Sequence, residues 1–333
     1  MPHGHTVGIV GAGAILPHHL EALRTVPGFT VAGVCDTDPA RLAAAVASLG
    51  CPGFADWRAL LDRRPDVVAV LLPHHLHAPV ALAALDHGCH VVVEKPMAGS
   101  VDECRAMLAA ARAAGRMLAV AETAAANAGA ARTGERYRSG ALGNFLAGSI
   151  ANVRFYFEPG RPAWFLDPAA SGGGMFANLG VHRLALARAC LPGLTPSAVS
   201  AAMARVPAWP VEACATALVR YADGGSMLYE EVGTVPRPAW LALGTHFAFE
   251  EGIVAWDESA WRWQRRSGAS EEPLPAPGPV YAPVYGELAA ALRGEGPAPS
   301  AEGNALDVAV VRAAYESTRT GAEARVDAGV ASA

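Results

Sequence analysis

Between residues 6 and 125, short β-branched apolar runs alternate with longer alanine-rich segments. The apolar runs predict strands over Thr6–Val10, Thr30–Cys35, Val67–Leu71, His90–Glu94 and Met117–Ala121. The segments between them predict helices over Pro17–Thr25, Pro39–Leu49, Trp57–Arg63, Ala78–His87 and Val101–Ala114. Asp38-Pro39 reads as an N-cap with a first-turn proline: the carboxylate accepts an orphan N–H, and proline has none to lose. Strands that are apolar throughout, rather than alternating, suit a parallel sheet covered on both faces. The expectation is a doubly wound α/β nucleotide-binding domain over residues 1–125.

Past residue 125 the rhythm changes. Asn144–Tyr156, Ala213–Tyr221, Ser226–Val232, Leu241–Glu250 and Gly252–Trp256 read as strands of a mainly antiparallel sheet, divided by turns such as Asp223-Gly224-Gly225. Helices are predicted over Gly180–Leu191, Tyr285–Arg293 and Ala305–Thr318, with a proline-rich loop at 273–283. This second domain is assigned residues 126–333. Trp256, Trp261 and Trp263 suggest packing on a broad sheet or at an interface. A sheet with one face uncovered points to a homodimer or homotetramer.

With 333 residues the chain is long enough for two cores, and its composition, 52% hydrophobic and 17% charged, is that of a globular enzyme. The net charge of −5, without a cluster of basic residues, argues against nucleic acid or an anionic membrane as a partner. Lys95 is the sole lysine. Six scattered cysteines form no CxxC pair, and several lie in apolar runs where a thiol behaves as a small hydrophobe. No basic leader and no apolar run of about 18 residues is present, so a cytoplasmic, soluble protein is expected.

The first strand runs into Gly11-Ala12-Gly13-Ala14-Ile15-Leu16, which holds the first two glycines of a dinucleotide fingerprint with Leu16 in the third place. The first glycine allows the tight turn and the second admits the pyrophosphate; the third serves helix packing. Asp36 follows the second strand, where an acid meets the adenosine ribose and repels a 2′-phosphate. NAD is therefore favoured, while Arg41 keeps NADP open. His74-His75-Leu76-His77 lacks a nearby carboxylate or thiolate in sequence, so no metal is assigned; these histidines read as part of a cofactor loop. Lys95 follows an apolar strand and precedes Pro96, which suits a cationic acid/base group.

These segments resemble the Gfo/Idh/MocA oxidoreductase family. The resemblance is carried by Gly11-Ala12-Gly13, Asp36, Pro73–His77 leading to Ala78-Pro79, and Glu94-Lys95-Pro96. In the second half it rests on Ser171-Gly172-Gly173-Gly174 with Gly180-Val181-His182, and on Ala313–Ser317. It implies a Rossmann domain plus an α/β domain with an open sheet that binds substrate and mediates oligomerisation. It also implies a nicotinamide cofactor and sugars, cyclitols or related polyols and ketones as substrates. Cofactor contacts are expected from Gly11, Ala12, Gly13, Ala14 and Ile15, from Asp36 and Arg41, and from Leu72, Pro73, His74, His77, Glu94 and Lys95. Lys95 is expected to touch the reacting oxygen. His182 would handle the proton, with Asn178 where the family has aspartate, so the imidazolium loses a charged partner. Lys95 would then carry more of the proton work, its pKa lowered by burial beside the positively charged nicotinamide ring. Arg161 and Trp164 join Lys95, Asn178 and His182 as expected substrate contacts, with Phe165 beside them as a candidate for the pocket lining.

Further departures are His74 for the usual asparagine, Ala185 for an aspartate, and Glu122–Gly129 without the usual Arg-aromatic pair. The reading is an NAD(P)-dependent oxidoreductase. Two alternatives are an NAD-dependent epimerase, lyase or glycosidase that oxidises transiently, and a catalytically decayed nucleotide-binding protein.

Overall fold

The computed structural model describes residues 4–239, 241 and 244–332. Its elements run β1 (His5–Val10), α1 (Leu16–Thr25), β2 (Phe29–Cys35), α2 (Pro39–Leu49), β3 (Gly53–Phe54), α3 (Trp57–Leu61), β4 (Val67–Val70), α4 (His77–Asp86), β5 (His90–Glu94), α5 (Val101–Ala114) and β6 (Leu118–Ala121). There follow α6 (Ala128–Arg138), β7 (Phe145–Val153), α7 (Pro168–Ser171), a π-helical turn (Phe176–Gly180), α8 (Val181–Cys190), β8 (Pro196–Ala204), β9 (Cys214–Tyr221) and β10 (Ser226–Val232). The chain closes with β11 (His246–Phe249), β12 (Gly252–Trp256), β13 (Ala260–Arg265), β14 (Gly268–Pro273), α9 (Ala282–Leu292), α10 (Glu302–Thr320) and β15 (Ala324–Arg325).

The chain divides into two compact units. One comprises residues up to Thr123 together with Gly278–Ala305; the other comprises Ala124–Pro277 and Leu306–Ser332. In the first unit, strands ordered β3-β2-β1-β4-β5-β6 pair in parallel, so the strand order reverses between β1 and β4. The carboxyl ends of strands at such a reversal form the ligand crevice of doubly wound sheets. Local chemistry explains the helix limits. Asp38 accepts N–H groups of Ala40 and Arg41 to start α2, and Ser100 with Glu103 forms a capping box on α5. The core joins Val7, Ile9, Val34, Val67 and Val92 of the sheet to Leu16, Leu20 and Leu23 of α1.

The segment Gly278–Ala305 lies within the residue range assigned from sequence to the second domain, yet it returns to the first unit. The reason is packing: Tyr281, Tyr285 and Leu288 are buried in the same cluster as α1. Helix α9 also starts earlier than expected, with Pro283 in its first turn.

The second unit carries a sheet ordered β14-β13-β12-β11-β7-β10-β9-β8-β15 among the described residues. Strands β7 and β10 pair in parallel and the other neighbours antiparallel. The sequence pattern missed β8, β13, β14, α6 and the π-helical turn. The strand expected over Leu241–Glu250 is His246–Phe249, and positions 242 and 243 lie outside the described residues. The tryptophans pack within the unit. Trp261 is fully buried with its Nε1–H donating to Thr133 of α6 at 2.9 Å, and Trp256 stacks on Phe247. No described helix is long and apolar enough to cross a membrane.

Strand alternation on β10 turns Met227, Tyr229 and Glu231 inward. The Glu231 carboxylate accepts from Asn152 Nδ2 at 2.6 Å, but its other oxygen has no hydrogen-bond donor, with Arg183 Nε 3.6 Å away. Burial pushes its pKa up to about 7, against the pull of Arg183, Asn152 and Arg154. Folded Glu231 thus keeps its proton over a range where the unfolded carboxyl, with its ordinary value of 4.5, has released it. Stability therefore falls as pH rises between those two values and stays reduced above them. Glu231→Gln is expected to stabilise the fold by up to about 3 kcal/mol at pH near 8, with the advantage vanishing near pH 4. Thermal or denaturant unfolding at the two pH values checks this; an equal difference at both would refute it.

Candidate active site

In the first unit, β1 runs into Gly11, whose φ of 108° belongs to glycine. A Cβ there would collide with the Leu71 carbonyl oxygen, and the Gly11 N–H donates to Cys35 O at 2.8 Å, so the ends of β1, β2 and β4 gather tightly. By contrast, a Cβ on Gly13 would meet nothing, which leaves open space in front of the turn formed with Ala14 and Ile15. Helix α1 then begins with no side-chain cap and no acid in its first turn. Pro17 has no N–H, and the Leu16 and His18 N–H groups turn back to the Gly13 and Ile15 carbonyls. What this end offers a diphosphate is the space at Gly13 and the positive end of the helix dipole. Leu16, in place of the third glycine, is buried in the core, so the departure serves packing.

Asp36 sits just past β2 and is buried. Its carboxylate accepts from the Ala12 N–H at 2.8 Å and the Asp38 N–H at 2.8 Å, and from Arg41 Nη2 at 2.9 Å. Burial raises its pKa, but these donors outweigh burial and hold the carboxyl below its usual value. The glycine loop, the acid and Arg41 thus form one connected group. An ionised carboxylate there fits ribose hydroxyls, and the exposed guanidinium beside it is suited to a phosphate.

After β4 the chain passes Leu72 and Pro73, both partly exposed, into a 3₁₀ turn, His74–Leu76. His74 is buried, whereas His75 is exposed. His77 opens α4 fully buried, with Nδ1 2.8 Å from Pro96 O and Nε2 2.8 Å from Leu72 O. Both neighbours are acceptors, yet burial holds the ring's pKa below its usual value, and a neutral imidazole has one N–H to give. His77 therefore sits between the Leu72 carbonyl and the Pro96 carbonyl of the lysine turn and can donate to one of them at a time. Glu94 is buried, and its Oε2 accepts from the Lys95 N–H at 3.0 Å. Lys95 itself is partly exposed.

In the second unit, α7 ends in Gly172, and Gly173 takes a φ of 149°. A Cβ on Gly173 would strike the Tyr315 hydroxyl. Glu212 fixes this loop: it accepts N–H groups of Gly174 at 2.7 Å and Phe176 at 3.0 Å, and the Tyr315 hydroxyl at 2.6 Å. Arg312 donates to Gly172 O at 2.8 Å. The close approach that the glycines allow is thus used by α10 of the protein itself. The π-helical turn follows, carries Asn178 and runs directly into α8 with His182 in its first turn. Such single π turns inside helices recur at functional sites because they re-aim side chains.

Asn178 is buried with Nδ2 3.4 Å from the Tyr156 hydroxyl, and burial pushes that phenol up to about 12. Arg161 lies over the Tyr156 ring at 4.3 Å and the Phe165 ring at 4.9 Å, and pairs with Glu158 at 3.1 Å. Trp164 stacks on Phe165 at 3.8 Å. Arg161, Trp164 and Asn178 thus gather around Tyr156 and Phe165. Phe165 stands beside Trp164 and Arg161 among the pocket candidates expected from sequence, whereas Tyr156 reads from sequence only as the end of a strand. Glu212 was missed. Tyr315 had a signal, since it stands in the Ala313–Ser317 stretch singled out from sequence. Lys95 belongs to the first unit and His182 to the second.

Two family models match the chain, "Oxidoreductase family, NAD-binding Rossmann fold" over residues 5–122 and "GFO/IDH/MocA C-terminal domain" over 131–240. D-glucoside 3-dehydrogenase of Escherichia coli (strain K12) is 30% identical over 183 residues, covering 54% of this chain and 51% of that protein. The dTDP-3,4-didehydro-2,6-dideoxy-alpha-D-glucose 3-reductase of Streptomyces antibioticus is 33% identical over 191 residues, covering 57% and 56%. The chain spans about half the length of these curated relatives. Levoglucosan dehydrogenase, solved with NADH and levoglucosan, has the same fold: its TM-score is 0.87 at 19% identity, over 97% of this chain and 100% of that one. The chain belongs to the Gfo/Idh/MocA oxidoreductase family, and its first unit is the family's NAD-binding Rossmann domain.

Proposed function

We propose that the chain is an NAD(P)-dependent oxidoreductase acting on a secondary alcohol or ketone of a sugar, cyclitol or related small molecule. The observation that carries this reading is the sole lysine standing directly after β5, beside the strands where the sheet order reverses. Relatives named as sugar dehydrogenases and reductases support the substrate class. When bound, NAD would accept a hydride from the substrate carbinol carbon, and NADH would return one to the carbonyl carbon in the reverse direction. Gly11, Ala12 and Gly13 would admit the diphosphate, and Asp36 would hold the ribose hydroxyls. Lys95 holds the reacting oxygen and exchanges its proton, with His182 as the second proton-handling group. Asn178 orients without lending charge, so His182 lacks the anionic partner that would favour its imidazolium form. Trp164 and Arg161 offer a flat ring and a guanidinium to a polyhydroxylated ligand.

Leu228 and Ile253 are exposed, and strand register sets both on one face of the second sheet through Ser149, Ala147 and Ala248. We take this as the face that pairs copies of the chain. Light scattering is expected to give two or four times the monomer mass; a monomer at micromolar concentration would refute it.

Incubating the protein with NAD or NADH and a panel of sugars, cyclitols and ketones tests the activity. Nicotinamide absorbance is expected to change with at least one member. Substrate consumed without net absorbance change would replace this reading with transient oxidation, and cofactor binding without any turnover would indicate a decayed catalyst. Lys95→Ala is expected to lower turnover by about 10²–10⁴-fold with NADH binding retained, and His182→Ala by less. Full activity in Lys95→Ala would remove the lysine from the reaction. Asp36→Ala is expected to weaken NAD about tenfold or more, since it deletes a charged hydrogen-bond partner. Arg41→Ala should weaken NADP more than NAD. Calorimetry with both cofactors reads these differences, and unchanged affinities would contradict the assignment.

A further inference from the structure

Glu94 is a carboxylate withdrawn from water with groups from α1 and α9 arranged around it. His19 of α1 is fully buried, with Nε2 2.9 Å from Glu94 Oε1 and Nδ1 2.9 Å from the Tyr285 hydroxyl. Its ring stacks on Tyr281 with centroids 4.1 Å apart. In either protonation state the bonds are satisfied, with Nε2–H donating to Glu94 and Nδ1 either accepting the Tyr285 hydroxyl proton or, in the imidazolium, donating to that oxygen. The Tyr281 hydroxyl also bonds to Glu94, and the second carboxylate oxygen takes the Lys95 N–H. Burial alone would raise the Glu94 pKa, yet the hydrogen bond and charge of His19, then the Lys95 charge and the Tyr281 hydroxyl, reverse it and hold the carboxyl below its usual value.

Two consequences reach the lysine. Its backbone is gripped on one side by Glu94 and on the other by His77, which approaches the Pro96 carbonyl. The Lys95 charge also acts on the Glu94 carboxylate and favours its ionised form. Coulombic attraction is mutual, so what favours the Glu94 anion equally favours the Lys95 cation. This opposes the lowering of lysine basicity expected from burial and a cationic nicotinamide.

We propose that Glu94, locked in place by His19, Tyr281 and Tyr285, is a positioning residue that fixes the Lys95 backbone and strengthens the hold of its ammonium on a proton. The proposal rests on the reading of Lys95 as the group that meets the reacting oxygen. The titratable groups around the pair are His19 on α1, His77 on α4, Tyr281 and Tyr285 from the α9 segment, and Glu122, whose charge acts on Tyr281. His19 and the tyrosines serve the carboxylate; none of them is assigned contact with substrate.

A chain with one lysine allows a direct measurement. Reductive methylation with ¹³C-formaldehyde labels Lys95 as the sole side-chain amine, distinct from the α-amino group, and its ¹³C shift reports the titration midpoint without turnover. Glu94→Gln is expected to lower that midpoint by about one pH unit, a roughly tenfold weaker hold on the proton. Glu94→Asp, which keeps the charge, is expected to stay near wild type. Should Glu94→Gln fail to fold, wild type still decides: its midpoint is expected at or above that of the same dimethyl-lysine in a short peptide. A Glu94→Gln midpoint equal to wild type, or a wild-type midpoint well below the peptide's, overturns the proposal. Failure of every sugar to react would sink the proposed function and leave this titration untouched.

Discussion

A carboxylate taken out of water has to be met by hydrogen-bond donors, and at Glu94 that requirement draws distant parts of the chain together. The first helix supplies His19, β5 presents the acid, and the segment after Pro277 returns to supply Tyr281 and Tyr285. Losing one donor would leave a buried charge under-satisfied at a cost of roughly 1–3 kcal/mol or more. The returning helix therefore closes the first unit's core and completes a polar network behind the lysine turn. Packing and chemistry are linked because the same tyrosines fill the cluster beneath α1.

The second unit meets a comparable demand at Glu212. Three glycines would leave a floppy loop in front of α8, yet the buried carboxylate collects two of its N–H groups and Tyr315 secures it from α10. Each unit thus uses an acid to hold backbone next to a candidate catalytic side chain. Glu94 steadies the residue that follows it, and Glu212 steadies the entry to the π-helical turn that bears Asn178. Asp36 differs: its carboxylate faces the glycine loop and shares Arg41, an arrangement suited to a ligand.

Much of the first unit could be read from the chain. Buried parallel strands are nearly continuous apolar runs, so Val67–Val70 and His90–Glu94 stand out, and Gly11, Asp36 and Lys95 mark their ends. The two-residue β3 has no period to detect. In the second unit Pro196–Ala204 is alanine-rich and lacks β-branched density, while β13 and β14 alternate with charges that read as loop. Ala128–Arg138 holds two glycines, which weaken a helical signal. The partners of His19 were invisible because Tyr285 lies 266 residues away, and nothing local says which core a helix will join.

The central claim is that the lone lysine stands against the bound nicotinamide cofactor. The most direct measurement is the rate at which an acylating reagent modifies Lys95, followed by peptide mass, with and without saturating NAD. The account predicts that NAD slows modification of Lys95 several-fold and leaves the α-amino group unaffected. Equal Lys95 rates under both conditions, with NAD binding verified in the same samples, would contradict it.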